Sequence, residues 1–141
     1  MSTRVAYGLR AMVDLALREG RSPVQSRDIA TSQDIPEPYL NQLLSALRKA
    51  GLIISRRGPG GGHYLAKPAT SITLNDIVSA LDGPIGIEIA EEASDSAGTT
   101  CSIALGVIWR ELGGQVRQTL TSVTLAELAM RVRERSLTYQ I

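Results

Sequence analysis

The residues able to do chemistry in this chain concentrate between Tyr39 and His63. Leu40, Leu43, Leu44 and Leu47 follow helical spacing, and the opposite face of that helix presents Asn41, Gln42, Ser45, Arg48 and Lys49. A helix of this size enters a DNA major groove. There the amides of Asn41 and Gln42 can make the paired donor–acceptor contact to adenine, while Tyr39 or Ser45 reaches phosphate or base edges. A few residues on, Arg56 and Arg57 run into Gly58, Pro59, Gly60, Gly61, Gly62 and His63. A loop with almost no side chains lets backbone N–H groups press against phosphates or slide into the narrow minor groove, whose potential attracts arginine.

Other chemistries are excluded by what is scarce. Cys101 is the one cysteine and His63 the one histidine, so there is no intramolecular disulfide framework and no thiolate or histidine-cluster metal site within one chain. The glycine loop lacks a Gly-Lys-Ser/Thr ending and a following helix, which removes a nucleotide-binding reading. No nucleophile, base and orienting group stand together, so an enzyme is not expected. His63 alone reads as a turn or surface residue, or as part of the loop's contact with DNA. Cys101 has two readings: a thiolate favoured by a helix N-terminus and open to oxidation, or a small buried hydrophobe.

The elements that must position these groups follow from periodicity and punctuation. An amphipathic helix runs from Arg4 to Arg18 through Val5, Leu9, Met12, Val13, Ala16 and Leu17, and stops at Gly20. Ser26 is expected to cap a short second helix, and the third spans Glu37 to Ala50, with Gly51 at its C-terminal end. Two β-prone runs, Leu52–Ile54 and His63–Ala66, read as a hairpin around the glycine loop. Thr73 and Asp76 form a capping box for a fourth helix ending at Gly83. Residues 84–100, acidic and rich in small side chains, are expected to be a mobile loop. From Cys101 a long segment carries Leu105, Ile108, Trp109, Leu112 and Val116 at helical spacing, weakened by Gly113 and Gly114. These are too many apolar residues for the single stripe of a lone helix, which points to a partner chain. Thr124 and Glu127 open a last helix with Leu125, Leu128 and Val132 inward, and the Arg131–Arg135 tail is expected to fray.

The expected fold class is mainly α: a winged helix-turn-helix domain over 1–83, the acidic loop over 84–100, and a dimerisation helix plus C-terminal helix over 101–141. With 141 residues, 43% hydrophobic, the chain is long and apolar enough for one cored domain. Its net charge of +1 conceals a division. Residues 1–68 hold ten Lys and Arg against five acids, a formal +5, and residues 69–141 hold five against nine, a formal −4. Such asymmetry suits a basic half that meets a polyanion. No run of about 18 apolar residues and no signal segment is seen, so a cytoplasmic protein without membrane contact is expected.

Two segments carry a resemblance. Tyr39-Leu40-Asn41-Gln42-Leu43-Leu44 with Leu47-Arg48-Lys49-Ala50-Gly51-Leu52, followed by Arg57-Gly58-Pro59-Gly60-Gly61-Gly62-His63-Tyr64-Leu65, resembles the Rrf2 family of bacterial winged-helix transcription regulators. Tyr7–Met12, Ile72–Leu81, Trp109 and Val123–Leu128 extend the likeness over nearly the whole chain. The resemblance implies a homodimer whose long helix crosses its partner, with Tyr39, Asn41 and Gln42 in the major groove and Arg57 with its glycines in the minor groove of double-stranded DNA. Asn41 departs from a glutamate common in one branch of the family, and Pro38 replaces a small hydroxyl residue, so no target sequence is carried over. Cluster-binding members supply three cysteines, and some a histidine, around the start of the dimer helix. Here only Cys101 matches, Ala104 stands at the histidine position, and no cofactor is expected.

The expected function is therefore a homodimeric, sequence-specific regulator, a repressor if it lies across a promoter, reading a pseudo-palindromic operator without an iron–sulfur cluster. The effector is open: thiol chemistry at Cys101, a small ligand between the C-terminal helices, or a protein partner. The alternative from another class is a winged helix that binds protein instead of DNA, which calls for an acidic or apolar recognition surface. Gln42, Arg48, Lys49, Arg56 and Arg57 do not supply one.

Overall fold

The computed structural model describes residues 2–83 and 98–139. Helix α1 (Thr3–Leu17) begins where Ser2 Oγ accepts the Val5 N–H at 3.2 Å, satisfying one donor of the first turn. It is the central element: Val5, Ala11, Met12 and Leu15 are buried, and α2 (Ser26–Gln33), α3 (Glu37–Lys49), α4 (Leu74–Asp82) and the C-terminal helix all pack on it. A Cβ at Gly8 would overlap Leu81 Cδ1, so the missing side chain is what lets α1 and α4 come this close.

Strands β1 (Ile53–Arg56) and β2 (Gly62–Leu65) form the expected hairpin, antiparallel, in the register Ile53↔Leu65, Ile54↔Tyr64, Ser55↔His63 and Arg56↔Gly62. Val24, in the connection before α2, adds a third lane. Its N–H donates to the His63 carbonyl at 2.9 Å, and the His63 N–H donates back to the Val24 carbonyl at 2.7 Å. A 3-10 turn at Ala69–Ser71 then leads into α4, whose capping box is as expected. Thr73 Oγ1 accepts from the Asp76 N–H at 3.1 Å, and the Asp76 carboxylate accepts from the Thr73 N–H at 3.0 Å.

Helix α5 (Thr100–Ser122) runs 23 residues without a break, about 35 Å at 1.5 Å per residue. Gly113 and Gly114 do not interrupt it. Gly106 and Gly113, two turns apart, are its buried residues, and the helix also contacts α4. Helix α6 (Leu125–Tyr139) returns to the first 83 residues. Leu125 is fully buried and Ala129 is buried with it in the same core, while the Leu125 N–H donates to the Ile72 carbonyl at 2.7 Å.

Three expectations need correction. Arg131, Arg133 and Arg135 are helical and do not fray, because the first turns of α6 are anchored on α1 and on the 3-10 turn. Val132 is 40% exposed and does not point inward, since the docked face is that of Leu125 and Ala129. Ser26 is the first residue of α2 and not its cap; Gln25 holds that position without a side-chain bond. Of the acidic segment expected over 84–100, residues 84–97 lie outside the described residues. Among the described residues no helix is long and apolar enough to cross a membrane.

Candidate nucleic-acid interface

Helix α3 sorts its side chains as the periodicity requires. Leu40, Leu43, Leu44 and Leu47 are buried, Asn41, Gln42, Arg48 and Lys49 are exposed, and Ser45 is half-buried. Arg48 and Lys49 sit in its last turn, where they also complement the negative end of the helix dipole. Tyr39 is held more firmly than an outward contact residue needs. Its ring meets Tyr7 of α1 edge to face, 5.8 Å between centroids, and the Arg10 guanidinium lies 5.0 Å over Tyr7 while donating to the Gln33 carbonyl. The start of the recognition helix is thus keyed to α1 and to the end of α2.

At the hairpin the glycines divide by role. Gly58 and Gly60 adopt φ of +89° and +76° with open space around their Cα atoms, so the tip is both tightly turned and bare. Gly61 and Gly62 are needed for a different reason. A Cβ at Gly61 would strike the Arg56 carbonyl, and one at Gly62 the backbone of Val24. Half of the loop expected to serve DNA therefore serves the folding of the loop. Arg57 is exposed at the root, and Arg56 lies 5.8 Å over the Tyr64 ring.

His63 is neither a plain surface residue nor an outward one. Half-buried on β2, it has both ring nitrogens engaged within the chain: Nε2 lies 2.8 Å from Ser26 Oγ and Nδ1 lies 2.7 Å from Ser55 Oγ. Burial, and secondly the Arg48 guanidinium, hold its pKa below the ordinary 6.5. Between the wing and the start of α2 runs a groove of about 460 Å³, lined by Gln25, Ser26, Arg27, Glu37, Gly58, Gly61, Gly62 and His63. The first turns of α2 and α3 and the wing loop therefore converge on one surface. Gln25, Ser26 and Arg27 were not anticipated there. The signal available in the sequence was the hairpin register, which puts Ser55 opposite His63 and leaves the other ring nitrogen seeking a partner.

Cys101 stands exposed in the first turn of α5, which sets aside the buried alternative. On the same helix Leu105, Ile108, Trp109 and Leu112 are between 41% and 57% exposed, and Val116 is half-buried. Among the described residues no group of three His, Cys, Asp or Glu is placed to hold a metal ion.

A family model described as iron-dependent transcriptional regulator, Rrf2, matches residues 1–131. The chain belongs to the Rrf2 family of transcriptional regulators. It is 37% identical over 128 residues to the HTH-type transcriptional regulator IscR of Vibrio vulnificus, covering 91% of this chain and 76% of that protein. It is 37% identical over 130 residues to the HTH-type transcriptional regulator CymR of Bacillus subtilis, covering 92% and 88%. The solved structure of the B. subtilis CymR, described there as the global cysteine regulator, superposes with a TM-score of 0.78 at 36% identity, over 93% of this chain and 96% of that one. The T. potens IscR superposes at 0.77 and 35% identity, over 96% and 89%. Within the Rrf2 family, then, this chain is a DNA-binding transcriptional regulator with the winged-helix fold.

Proposed function

We propose that this Rrf2 member is a homodimeric, sequence-specific transcriptional repressor acting in the cytoplasm, and that it is not an enzyme. The observation that carries the DNA reading is the amide- and base-bearing outer face of α3, whose first residue, Glu37, lines one groove with the start of α2 and the wing glycines Gly58, Gly61 and Gly62. In this reading Tyr39, Asn41, Gln42 and Ser45 address the major groove, Arg48 and Lys49 the phosphates, and Arg57 with Gly58 and Gly60 the minor groove. The domain division follows: residues 1–83 read DNA and α5 joins two copies.

Support for the dimer comes from α5. Leu105, Ile108, Trp109, Leu112 and Val116 share one helical face, the first four of them more than 40% exposed, while the buried residues of the helix are glycines. A helix that hides glycine and exposes tryptophan is arranged for an outside partner. A symmetric pair would present two α3 helices to half-sites about one helical turn, roughly 34 Å, apart.

The family description invokes iron, and the donors of this chain do not fit an iron–sulfur cluster. It has one thiol, Cys101, and no cysteine or histidine between residues 84 and 100. Its single imidazole is bonded to Ser26 and Ser55 in the wing. Two copies would offer two thiolates where a cluster takes about four ligands. We therefore assign no step to a cluster. Selection of bound fragments from genomic DNA tests the whole reading. A shared pseudo-palindrome is the expected result, and fragments without a common motif would remove sequence-specific regulation.

A further inference from the structure

The wing of this protein is joined to the rest of the DNA-binding unit by the core packing of Leu52, Ile53 and Leu65 and by the backbone and side chain of His63. Its tip is glycine, and β1 and β2 pair with each other. The lane between Val24 and His63 and the bond of His63 Nε2 to Ser26 link the hairpin to the start of α2, while the bond of Nδ1 to Ser55 ties β2 to β1. We propose that His63 is a positioning residue of the DNA interface, tethering the wing to α2 and β1, and that binding of duplex DNA is coupled to uptake of a proton by its ring. The proposal rests on the DNA-binding reading above and adds to it a residue role and a pH dependence.

The ring chemistry permits both states without breaking the tether. A neutral imidazole donates from one nitrogen and accepts at the other, and serine hydroxyls rotate to suit either arrangement. A charged imidazolium donates from both, to Ser26 Oγ and Ser55 Oγ as acceptors. What decides between them is the field. Arg27 of α2 and Glu37 of α3 line the groove with His63, the Arg48 guanidinium of α3 acts on the ring through its charge, and Arg56 lies one register step along the hairpin. On the opposite side the cavity that His63 also lines holds Arg18, Glu19, Arg21 and Lys67. Glu19 accepts the Ala69 N–H at 2.8 Å, and Arg18 is paired with Asp14 at 3.5 Å, which leaves Arg21, Arg27, Arg48, Arg56 and Lys67 against Glu37 and Glu19. The surroundings are cationic in the free protein and favour the neutral ring. A phosphate backbone laid along the groove reverses the sign of that field and favours the charged one.

The linkage has a definite sign. If DNA raises the proton affinity of His63, protons are taken up on binding, and affinity rises as pH falls through the window between the free and bound values. Each pKa unit of difference is worth about tenfold in affinity per subunit. Because His63 is the only histidine in the chain, the effect is readable.

The test uses the full chain and a mixed-sequence duplex of roughly 30 base pairs, with fluorescence anisotropy between about pH 5.8 and 8 at fixed ionic strength. The native protein is expected to bind at least about threefold more tightly at the acid end, while His63→Gln binds more weakly and loses that slope. Equal slopes for the two proteins overturn the proton coupling. Ser26→Ala and Ser55→Ala each remove one anchor, and reduced affinity across the pH range is expected; native affinity in both overturns the tether. Should His63→Gln fail to fold, the single imidazole resonance of the native protein, titrated by NMR with and without duplex, decides alone. A higher pKa in the complex is expected, and an unchanged one overturns the proposal. A native protein that binds no duplex at low salt overturns the DNA reading itself, a separate and recognisable outcome.

Discussion

The rings of Tyr7 and Tyr39 meet edge to face at 81°, with 5.8 Å between their centroids, so the first turn of the recognition helix is fixed against α1 before any DNA arrives. Tyr7→Leu keeps an apolar residue there and removes the aromatic pair. It is expected to cost about 0.5–1.5 kcal/mol of stability and to weaken operator binding, because Tyr39 is released to rotate. Tyr39→Phe keeps the pair and removes only the hydroxyl. Denaturant melts and anisotropy on both variants separate the positioning role of the ring from any contact by the hydroxyl.

Arg57 and Arg56 are neighbours in sequence with different surroundings. Arg57 is exposed at the root of the bare tip, whereas Arg56 lies over Tyr64. Arg57→Ala is expected to lower affinity for the selected operator by about 1–3 kcal/mol while leaving thermal stability within about 0.5 kcal/mol. Native affinity in this variant would remove Arg57 from the groove.

The glycines of the wing are not equivalent. Gly61→Ala drives a Cβ into the Arg56 carbonyl, and backbone cannot swing aside as a flexible side chain does. A loss of about 1–3 kcal/mol of stability is expected from denaturant unfolding. Gly60→Ala meets open space and bears only the strain of its positive φ, about 1 kcal/mol. The reverse order would mean that the tip folds differently.

Leu112 lies on the apolar stripe of α5 and is 41% exposed, so Leu112→Glu places a carboxylate on the surface proposed to meet a second copy. Sedimentation equilibrium is expected to give a dimer for the native protein and a monomer for the variant, with helix content kept. Burying an aliphatic side chain of this size is worth about 1.5–3 kcal/mol per copy, and a buried carboxylate reverses the sign. A native monomer would exclude the symmetric two-helix arrangement.

His63 also ties folding stability to pH. Its pKa in the folded chain is below the ordinary 6.5, so the unfolded chain binds more protons in the interval between the two values. Stability from this group is present above about pH 6.5 and falls as pH drops through the folded value. Thermal melts of the free protein across that interval are expected to show the decline, and His63→Gln to lack its share of it.

Much of the interface was legible in the order of residues because the forces that make it are local. The two faces of α3 follow from leucine spacing, the hairpin from β-prone runs around glycine, and α4 from the Thr73–Asp76 capping box and Gly83. The basic and acidic halves, the single thiol and the lone histidine are likewise properties of the sequence alone. The remainder depends on groups brought together from far apart. Ser26 has a hydroxyl suited to a helix cap, yet a histidine ring 37 residues away competes for it and wins. Gly113 weakens an isolated helix, yet it sits buried within an unbroken α5, which a propensity scale does not register. The arginines of α6 look like a fraying tail until Leu125 and Ala129 dock that helix on α1. Asp14 is buried on an otherwise apolar face; Arg18, four residues on, reaches it at 3.5 Å, but Ser32, which donates to it at 3.3 Å, is a partner that only the packing of α1 on α2 supplies. Spacing along the chain sets which face of an element is apolar; which polar group that face then meets is decided only when the elements pack, because a buried hydrogen bond depends on distances in space and not in sequence.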